Sequence, residues 1–299
     1  MLSICIPIYN QDVTELVSEL HRQAKTVGCE YEILLIDDCS AHFREENRKW
    51  QNFLHTLYIE LQENIGRAKI RNLLAKTAKY SYLLFMDCDV AVINNQFIEK
   101  YINALPADVV IGGYAYAQIP PKKEQLLRWH YGLQREVKPA SERNKVSNKS
   151  FSTFNFLIKK AIFNELQFDE SILGYGHEDT MFGWELKKKG IVVLHIDNPL
   201  LQKNPDETAV FLQKTENSVQ NLWQLYQKIS DKNSFAEDNK LLKTYVSLKK
   251  YRLTFLISLF FGLFGKILYK NLCSEKPKMM FFDLYKLGIM NTFARKNSQ

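Results

Sequence analysis

Residues 81–89, SYLLFMDCD, place an apolar run of strand-forming side chains directly before two carboxylates, Asp87 and Asp89. Two other stretches have the same form: LSICIPIYN (residues 2–10) ends in polar side chains, and YEILLIDD (residues 31–38) ends in a pair of aspartates. Continuous apolar runs are typical of parallel strands that are covered on both faces. The carboxyl ends of parallel strands meet at one edge of a sheet, where ligands bind in open α/β folds. The three stretches therefore predict a parallel sheet with an acidic binding edge.

Helical segments separate these runs along the chain. The first, residues 12–28, carries one apolar stripe and a glycine at its end, as an amphipathic helix does. Helix and strand signals alternate as far as residue 201, which predicts the α/β class: a Rossmann-like, mostly parallel central sheet flanked by helices. Residues 118–150 are polar and basic with three prolines, and we expect a loop there that can close over a ligand. The chain from about residue 216 has helical periodicity and forms a helical, basic C-terminal appendage.

The net charge of +7 is concentrated at the C-terminal end. Residues 241–299 contain eleven Lys or Arg against two acids, whereas residues 1–240 contain 29 bases and 31 acids. A nucleic-acid-binding core would itself be basic, so we exclude nucleic acid as a partner; a basic, apolar tail favours an anionic membrane surface.

Five scattered cysteines without a C-x-x-C pair favour a reducing, cytoplasmic location. The first residues lack a cationic segment, so we expect no secretory signal.

The most apolar part of the tail is LTFLISLFFGLF, residues 253–264. These 12 uncharged residues are fewer than the roughly 20 that cross a bilayer, and an extension includes Lys266. We predict a helix that lies in the plane of a membrane, at its periphery, or on a partner. A true span and an ordinary core helix are the alternatives.

The pair Asp87-x-Asp89 points both carboxylates to the same side of an extended backbone. Together with phosphate oxygens, such a pair can hold a hard divalent cation, Mg²⁺ or Mn²⁺. Arg67 and Arg71 lie upstream in NIGRAKIRN, where Gly66 lets the backbone approach a ligand and the arginines can pair with phosphate. The alternative for the arginines is a solvated helix face.

The stretch GYGHEDT, residues 174–180, places two carboxylates after a glycine-rich loop and before an amphipathic helix. One interpretation is capping, because acids in a first turn meet the positive end of the helix dipole. The other is a catalytic base at the rim of a pocket. A carboxylate fixed at a helix start suits both roles.

SICIPIYN, LIDDCS, NIGRAKIRN, LFMDCDV and GYGHEDTMFGWELKKKG occur in the order and spacing of inverting family 2 glycosyltransferases with the GT-A fold, which the chain resembles over residues 1–200. The GYGHED form is similar to the branch whose C-terminal half is like that of galactosyltransferases and chondroitin-type polymerases. The resemblance implies a glycosyltransferase domain at 1–215, with a nucleotide-sugar half at about 1–115 and an acceptor half at about 116–215. Residues 216–299 would form the membrane-associating tail.

The resemblance implies a role for each matching residue in the nucleotide-sugar site. Pro7 and Tyr9 would lie against the base of the nucleotide, and Asp38 would accept an N–H from that base. Gly66 and Arg71 would line the nucleotide and its diphosphate.

The remaining matches imply the metal site and the chemistry. Asp87 would face the ribose or the sugar and share the metal with Asp89, the main ligand. Asp179 would be the general base that deprotonates the acceptor hydroxyl, and Glu178 would hydrogen-bond acceptor or donor sugar.

One departure from the family concerns the metal. Relatives often have a histidine ligand where this chain has Gln202. Three alternatives follow: Gln202 ligates weakly through its carbonyl, His177 or His195 substitutes, or metal binding is impaired. His195, inside an apolar strand, favours a structural role. Trp129 is a candidate for stacking on a sugar, and Asn155 a candidate for contacting the acceptor.

These inferences predict a metal-dependent, inverting transferase that moves a sugar from a nucleotide-sugar, expected to be a UDP-sugar, to a hydroxyl of a surface-glycan or lipid-linked acceptor. It would act at the inner, cytoplasmic face of the plasma membrane of a bacterium. The alternatives are a non-catalytic nucleotide-sugar-binding scaffold of a glycan-assembly complex and a nucleotidyltransferase. The first strand lacks the glycine- and lysine-rich phosphate loop that a nucleotidyltransferase has.

Overall fold

A computed structural model describes residues 1–172 and 174–296 and contains two compact units, which we call the sheet unit and the helical unit. The sheet unit comprises Met1–Ala117, Arg135–Ile172 and Glu178–Asn204. The helical unit comprises, among the described residues, 118–134, 174–177 and 205–296.

A seven-stranded sheet forms the centre of the sheet unit, in the order β3-β2-β1-β4-β8-β6-β9. The pairs β1–β2, β1–β4, β2–β3 and β6–β9 are parallel, and only β8 runs antiparallel to its neighbours, β4 and β6. The strands are β1 (Leu2–Ile8), β2 (Tyr31–Asp37), β3 (Thr56–Glu60), β4 (Tyr82–Met86), β6 (Val109–Ile111), β8 (Asn155–Lys159) and β9 (Val193–His195). The prediction of a mostly parallel α/β sheet is confirmed.

A second, three-stranded sheet lies at the end of β4. Its order is β5-β10-β7, with β5 (Val90–Val92), β7 (Tyr114–Ala115) and β10 (Leu200–Gln202). Because β5 pairs with β10 in antiparallel register, Gln202 lies opposite Val90, next to Asp89.

Helices cover both faces of the large sheet, as the continuous apolar strands require. Alternate residues of β1 enter different cores: Ile4, Ile6 and Ile8 pack towards α1, whereas Cys5 packs towards α3. The helices of the sheet unit are α1 (Thr14–Val27), α2 (Arg44–Arg48), α3 (Arg67–Thr77), α4 (Phe97–Asn103), α6 (Ala140–Arg143), α7 (Lys160–Leu166) and α8 (Glu178–Lys188), with 3₁₀ turns at Lys49–Asn52 and Asn144–Ser150.

The helical unit contains α5 (Leu126–Tyr131), α9 (Thr208–Lys228), α10 (Lys232–Asp238), α11 (Lys240–Lys250), α12 (Thr254–Leu272) and α13 (Met279–Lys296). A 3₁₀ turn covers Lys123–Gln125, and a π-helical turn, Gly132–Glu136, follows α5. Leu127, Phe211 and Phe282 share one apolar core. The predicted loop at 118–150 is therefore largely helical. Each unit is built from segments that alternate along the chain. The units therefore do not test the predicted division into domains 1–215 and 216–299, which stays a prediction.

Of the described helices, α12 alone combines enough length and apolar character to cross a membrane, by length and composition only. It has 19 residues, more than the 12 of the uncharged run, because the helix continues past Lys266. Most of its surface is not buried in the protein.

Candidate functional site

The carboxyl ends of β1 and β2 are joined by a network of short polar contacts. The register pairs Ile8 with Asp37, and the Asp38 N–H donates to the carbonyl of Ile8 at 2.8 Å. Asn10, which follows β1 with a φ of 52°, accepts N–H bonds from the 41–42 backbone through its side-chain oxygen. These contacts fix the loop after β2 against the end of β1, as parallel pairing at a polar edge predicts.

Tyr9 is the exposed aromatic side chain of this edge. It follows β1 directly and is 53% exposed, while Pro7 lies partly buried within the strand. An exposed ring beside a polar cluster can stack on a planar ligand. Its position is compatible with the predicted contact with a base.

Asp38 bonds the loop that leads into α3. One carboxylate oxygen accepts the N–H of Ile65 at 2.7 Å and the other accepts the N–H of Gly66 at 3.1 Å. Burial raises the pKa of Asp38, and the two backbone N–H bonds oppose that rise. Gly66 has a φ of +84°, which disfavours any other residue at this turn. A carboxylate oxygen accepts more than one hydrogen bond, so Asp38 retains lone pairs for a ligand.

Arg71 is buried rather than presented to solvent. Its side chain is 2% exposed and donates to Asp87 Oδ1 at 2.5 Å and to the carbonyl of Arg67 at 3.1 Å. Burial, together with the neighbouring Arg67 charge, lowers the pKa of Arg71. The structure thus uses Arg71 to fix the orientation of Asp87.

Arg67 connects the acids at the end of β4 with the acids at the start of α8. Its Nε donates to Glu178 Oε1 at 2.9 Å, and its Nη2 lies 3.9 Å from Asp87 Oδ2. Arg67, Lys69 and Arg71 are the three basic residues of NIGRAKIRN. The sequence predicted that the arginines pair with phosphate, and it did not predict that Arg67 connects the two groups of acids. Its spacing of four residues from Arg71 is the signal that both side chains share one face of α3.

Three residues before α8 have left-handed backbone. Gly174, Gly176 and His177 have φ values of 76°, 96° and 72°. Asp179, the second residue of α8, accepts the Thr180 N–H at 2.6 Å. The capping interpretation thus has a structural basis, although this bond uses only one of the two carboxylate oxygens.

The two adjacent acids of α8 have opposite electrostatic environments. Desolvation, with the charge of Glu178 next, raises the pKa of Asp179 to about 7, against weaker opposing bonds to Thr180. Desolvation also acts on Glu178, but the guanidinium of Arg67 and the charge of Arg71 outweigh it and lower the pKa of Glu178. Pairs of titratable groups whose pKa values are pushed apart are typical of acid–base sites. Asp179 is the member that is poised near neutral pH.

Asp89 is paired with the residue that departs from the family pattern. The Gln202 amide Nε2 donates to Asp89 Oδ2 at 2.6 Å, because β5 and β10 are paired next to it. Desolvation, with the neighbouring charge of Asp87, raises the pKa of Asp89, and the Gln202 bond opposes that rise.

The donors near Asp89 suit a hard cation only in part. In the described parts of the chain, no cluster of three or more His, Cys, Asp or Glu side chains is arranged to hold a metal. The carboxylates of Asp87 and Asp89 and the amide of Gln202 are oxygen donors, which Mg²⁺ and Mn²⁺ prefer. Two carboxylates with an amide fit a cation whose remaining ligands come from a bound phosphate.

Asn155 lies opposite Met86, at the end of β4, but its side chain is bonded within the protein. Asn155 is 1% exposed, and its amide bonds the hydroxyl of Tyr101 at 2.5 Å and the carbonyl of Asn198 at 2.9 Å, so we leave it out of the proposed site. Trp129 is buried in the helical unit and contacts His130 edge-on; stacking on a sugar stays a prediction.

His195 has the structural environment that its strand position favours. It is 2% exposed, and its ring contacts Arg143 Nη1 at 2.7 Å and the carbonyl of Ser147 at 2.8 Å. Burial lowers the pKa of His195 to about 4.

Known proteins were compared with this chain. The family model described as "Glycosyl transferase family 2" matches residues 3–167, more than half of the chain. The chondroitin synthase of Escherichia coli is 28% identical over 227 residues, which cover 63% of this chain and 32% of that protein. An uncharacterized glycosyltransferase of Haemophilus influenzae is 29% identical over 168 residues, which cover 54% of each. The chain thus spans about a third to a half of the length of these curated relatives.

Solved structures are similar in fold at low sequence identity. TarS of S. aureus (residues 1–349) has a TM-score of 0.50 at 18% identity, covering 99% of this chain and 91% of that chain. The mannosyltransferase PcManGT from Pyrobaculum calidifontis, in complex with GDP-Man and Mn²⁺, has a TM-score of 0.55 at 13% identity, covering 98% and 87%. The likenesses confirm the predicted GT-A fold, and the family match confirms the predicted resemblance. The chain belongs to glycosyl transferase family 2, a family of glycosyltransferase enzymes.

Proposed function

We propose that this protein is an inverting glycosyltransferase that moves a sugar from a nucleotide-sugar to a hydroxyl group, with Asp179 as the general base. The observation that carries this proposal is the chain of contacts Asp87–Arg67–Glu178, which joins the acids at the end of β4 to the acids at the start of α8. Burial, which raises the pKa of Asp179 to about 7, supports it. A base is most effective when its pKa lies near the working pH.

The donor site in this proposal is the polar edge of the large sheet. Tyr9 and Pro7 lie against the base, Asp38 accepts an N–H from it, and Gly66 lines the diphosphate. TarS has been solved in complex with UDP-GlcNAc and PcManGT with GDP-Man, which supports a nucleotide-sugar as the class of donor. We favour a UDP-sugar, the class of ligand in the TarS complex with UDP-GlcNAc.

A divalent cation fits the same edge. Asp89 and Asp87 would hold Mn²⁺ or Mg²⁺ together with the diphosphate, and Gln202 would be a third protein ligand only if its amide turned its oxygen towards the cation, because its Nε2 now donates to Asp89. When bound, the cation neutralises the charge that gathers on the departing diphosphate. The Mn²⁺ in the PcManGT complex supports metal use in this fold.

The reaction is a single displacement. The carboxylate of Asp179 takes the proton of the acceptor hydroxyl, and the hydroxyl oxygen forms a bond to the anomeric carbon as the bond to the diphosphate oxygen breaks. The hydroxyl oxygen attacks from the side opposite the diphosphate, which leaves with the electron pair, so the configuration at the anomeric carbon inverts. Arg67 keeps Glu178 ionised, and Glu178 then hydrogen-bonds a sugar hydroxyl beside Asp179.

The acceptor in this proposal is a surface glycan or a lipid-linked glycan at the inner face of the plasma membrane. The chondroitin synthase relative supports a glycan acceptor, and the basic tail with the exposed apolar helix α12 supports a membrane location.

A non-catalytic nucleotide-sugar-binding scaffold is the second candidate. The Gln202 bond to Asp89 favours it, because an amide donor occupies one oxygen of the proposed main metal ligand. The experiment that separates the two is the release of UDP from a panel of UDP-sugars with Mn²⁺ and an acceptor. Donor-dependent release that Asp179→Asn removes, with donor binding retained, supports the transferase. Donor binding without release in the unchanged protein, across the whole panel, contradicts it.

A further inference from the structure

Helix α12 presents a wide apolar face to solvent. Its exposed side chains recur at intervals of four residues in two adjacent rows, each at least 37% exposed: Phe255, Leu259, Leu263 and Ile267 in one row, and Leu256, Phe260 and Phe264 in the other. The opposite side of the helix packs on α13, where Leu268 and Leu272 are buried. Contiguous apolar surface of this kind marks an interaction site rather than ordinary surface variation.

The charges around this face indicate a bilayer. Residues 239–274 contain seven Lys or Arg and no Asp or Glu. Two of the seven, Lys266 and Lys270, lie on α12 itself, and both are exposed. An apolar face with cationic flanks matches the interface of an anionic membrane, into which such a helix inserts parallel to the surface. Because one side of α12 is committed to α13, we place it in the plane of the membrane.

A cleft of about 390 Å³ with a mixed polar and apolar lining lies between α12 and α13, within the helical unit. Its polar lining comes from Ser258, Asn291, Thr292, Arg295 and Lys296. Gly262, which is exposed on α12, also lines it, so the cleft borders the apolar face.

Asn291, which lines the cleft, has an unpaired buried acceptor. Asn291 is 2% exposed, and its Nδ2 donates to Ser258 Oγ at 2.8 Å. Among the described residues, no group donates a hydrogen bond to Asn291 Oδ1. Such an orphaned acceptor costs free energy unless a ligand satisfies it. Arg295 also donates to Ser258 Oγ, at 2.6 Å, so this hydroxyl accepts two bonds and its proton is directed to another acceptor.

We infer that this cleft binds the headgroup of an anionic phospholipid while the apolar face of α12 lies among the acyl chains. Arg295 and Lys296 pair with the phosphate, and the Ser258 hydroxyl donates to it. A headgroup hydroxyl, as in phosphatidylglycerol, donates to Asn291 Oδ1. The inference rests on the proposed membrane location of the tail and names its lipid partner.

The test is binding of this 299-residue chain, without sugar donor, to phosphatidylcholine vesicles with and without phosphatidylglycerol. We expect Leu259→Ser combined with Leu263→Ser to lose binding to both kinds of vesicle. Arg295→Gln with Lys296→Gln should lose about tenfold in affinity for phosphatidylglycerol vesicles. The matched control is Lys249→Gln with Lys250→Gln, which removes equal charge from the tail outside the cleft and should lose less.

A soluble competitor distinguishes a site from general attraction. Glycerophosphoglycerol, the headgroup without its acyl chains, should weaken vesicle binding of the unchanged protein but not of the Arg295/Lys296 variant, with sulfate at equal ionic strength as the control. Equal losses in both charge variants, or equal competition by sulfate, would overturn the headgroup site. Unchanged binding of the Leu259/Leu263 variant would overturn the bilayer as the partner. Asp179→Asn should bind vesicles normally, so a failure of the transferase proposal is distinguishable.

Discussion

The sheet edge and the α12 face are both exceptions to the usual division of polar and apolar residues, in opposite senses. At the sheet edge, Arg71 and Glu178 are charged and buried, and each is paired. On α12, Leu259 and Leu263 are apolar and exposed, and the same helix carries exposed lysines. Burying charges costs free energy that only precise pairing offsets, whereas exposing leucines has a small effect on folding. The difference implies that mutations at the edge affect both stability and chemistry, while mutations on the face affect association alone.

The largest expected effect is the loss of the base. Asp179→Asn keeps an oxygen that accepts the Thr180 N–H, so the start of α8 is preserved. We expect kcat to fall by about a thousandfold, within the range that general-base catalysis contributes. Donor binding, measured by calorimetry, is the control and should not change. Activity within tenfold of the unchanged protein would remove Asp179 as the base.

Arg67→Met tests the pairing at the edge. Without the guanidinium, Glu178 is a buried carboxylate with no partner of equal strength, and we expect a loss of about 3 kcal/mol in the free energy of unfolding. Arg22→Met is the matched control, because the Arg22–Glu19 ion pair is exposed and contributes little. Denaturant melts of both variants measure the difference. Equal, small losses in the free energy of unfolding would contradict a stabilising role of the buried Arg67–Glu178 pair.

Gly288→Ala tests the packing that leaves one side of α12 free. A Cβ at residue 288 would lie 2.1 Å from the ring of Phe261, so we expect a loss of about 2 kcal/mol. Gly262→Ala is the control: nothing lies within 4 Å of its Cβ, and alanine favours the helix. Thermal melts of the two variants should move in opposite directions. Similar shifts would contradict the packing of α12 on α13.

The pH dependence of the reaction follows from Asp179. Since its pKa is raised to about 7, the carboxylate is protonated at lower pH, and kcat/KM should fall by about tenfold per unit below pH 7. The same shift means that stability is lost as pH rises from the ordinary pKa of 3.8 to about 7, because over this range the unfolded chain has released the proton that folded Asp179 keeps. The advantage in stability of Asp179→Asn over the unchanged protein should therefore be larger at pH 8 than at pH 5. A rate profile that is flat between pH 5 and 8 would contradict the shift.

The smallest expected effect concerns the apolar face itself. Leu263→Ser should change the free energy of unfolding by less than about 0.5 kcal/mol, because the side chain is 65% exposed. Leu268→Ser, on the buried side of the same helix, should cost about 3 kcal/mol. Chemical denaturation compares them. A large loss for Leu263→Ser would show that its face is covered in the folded protein.

Most of the fold follows from patterns that are local in the sequence. The runs that end in Asn10, Asp38 and Asp87 predicted parallel strands with a polar edge, since a strand covered on both faces must be apolar throughout. The segment 118–150 was predicted as a loop from its prolines and charges, yet much of it is helical. Burial of Leu127 in the core of the helical unit outweighs the polar composition of its neighbours.

The sequence by itself determined the family, the acidic edge, the two consecutive carboxylates Glu178 and Asp179, and the basic tail. Each of these depends on residue types at short spacing. Only the tertiary structure decided that Arg67 joins Asp87 to Glu178, residues far apart in the chain. It also decided the unequal pKa values of the adjacent acids. Desolvation and charge pairing depend on which distant groups folding brings within a few ångströms, and no local pattern encodes those distances.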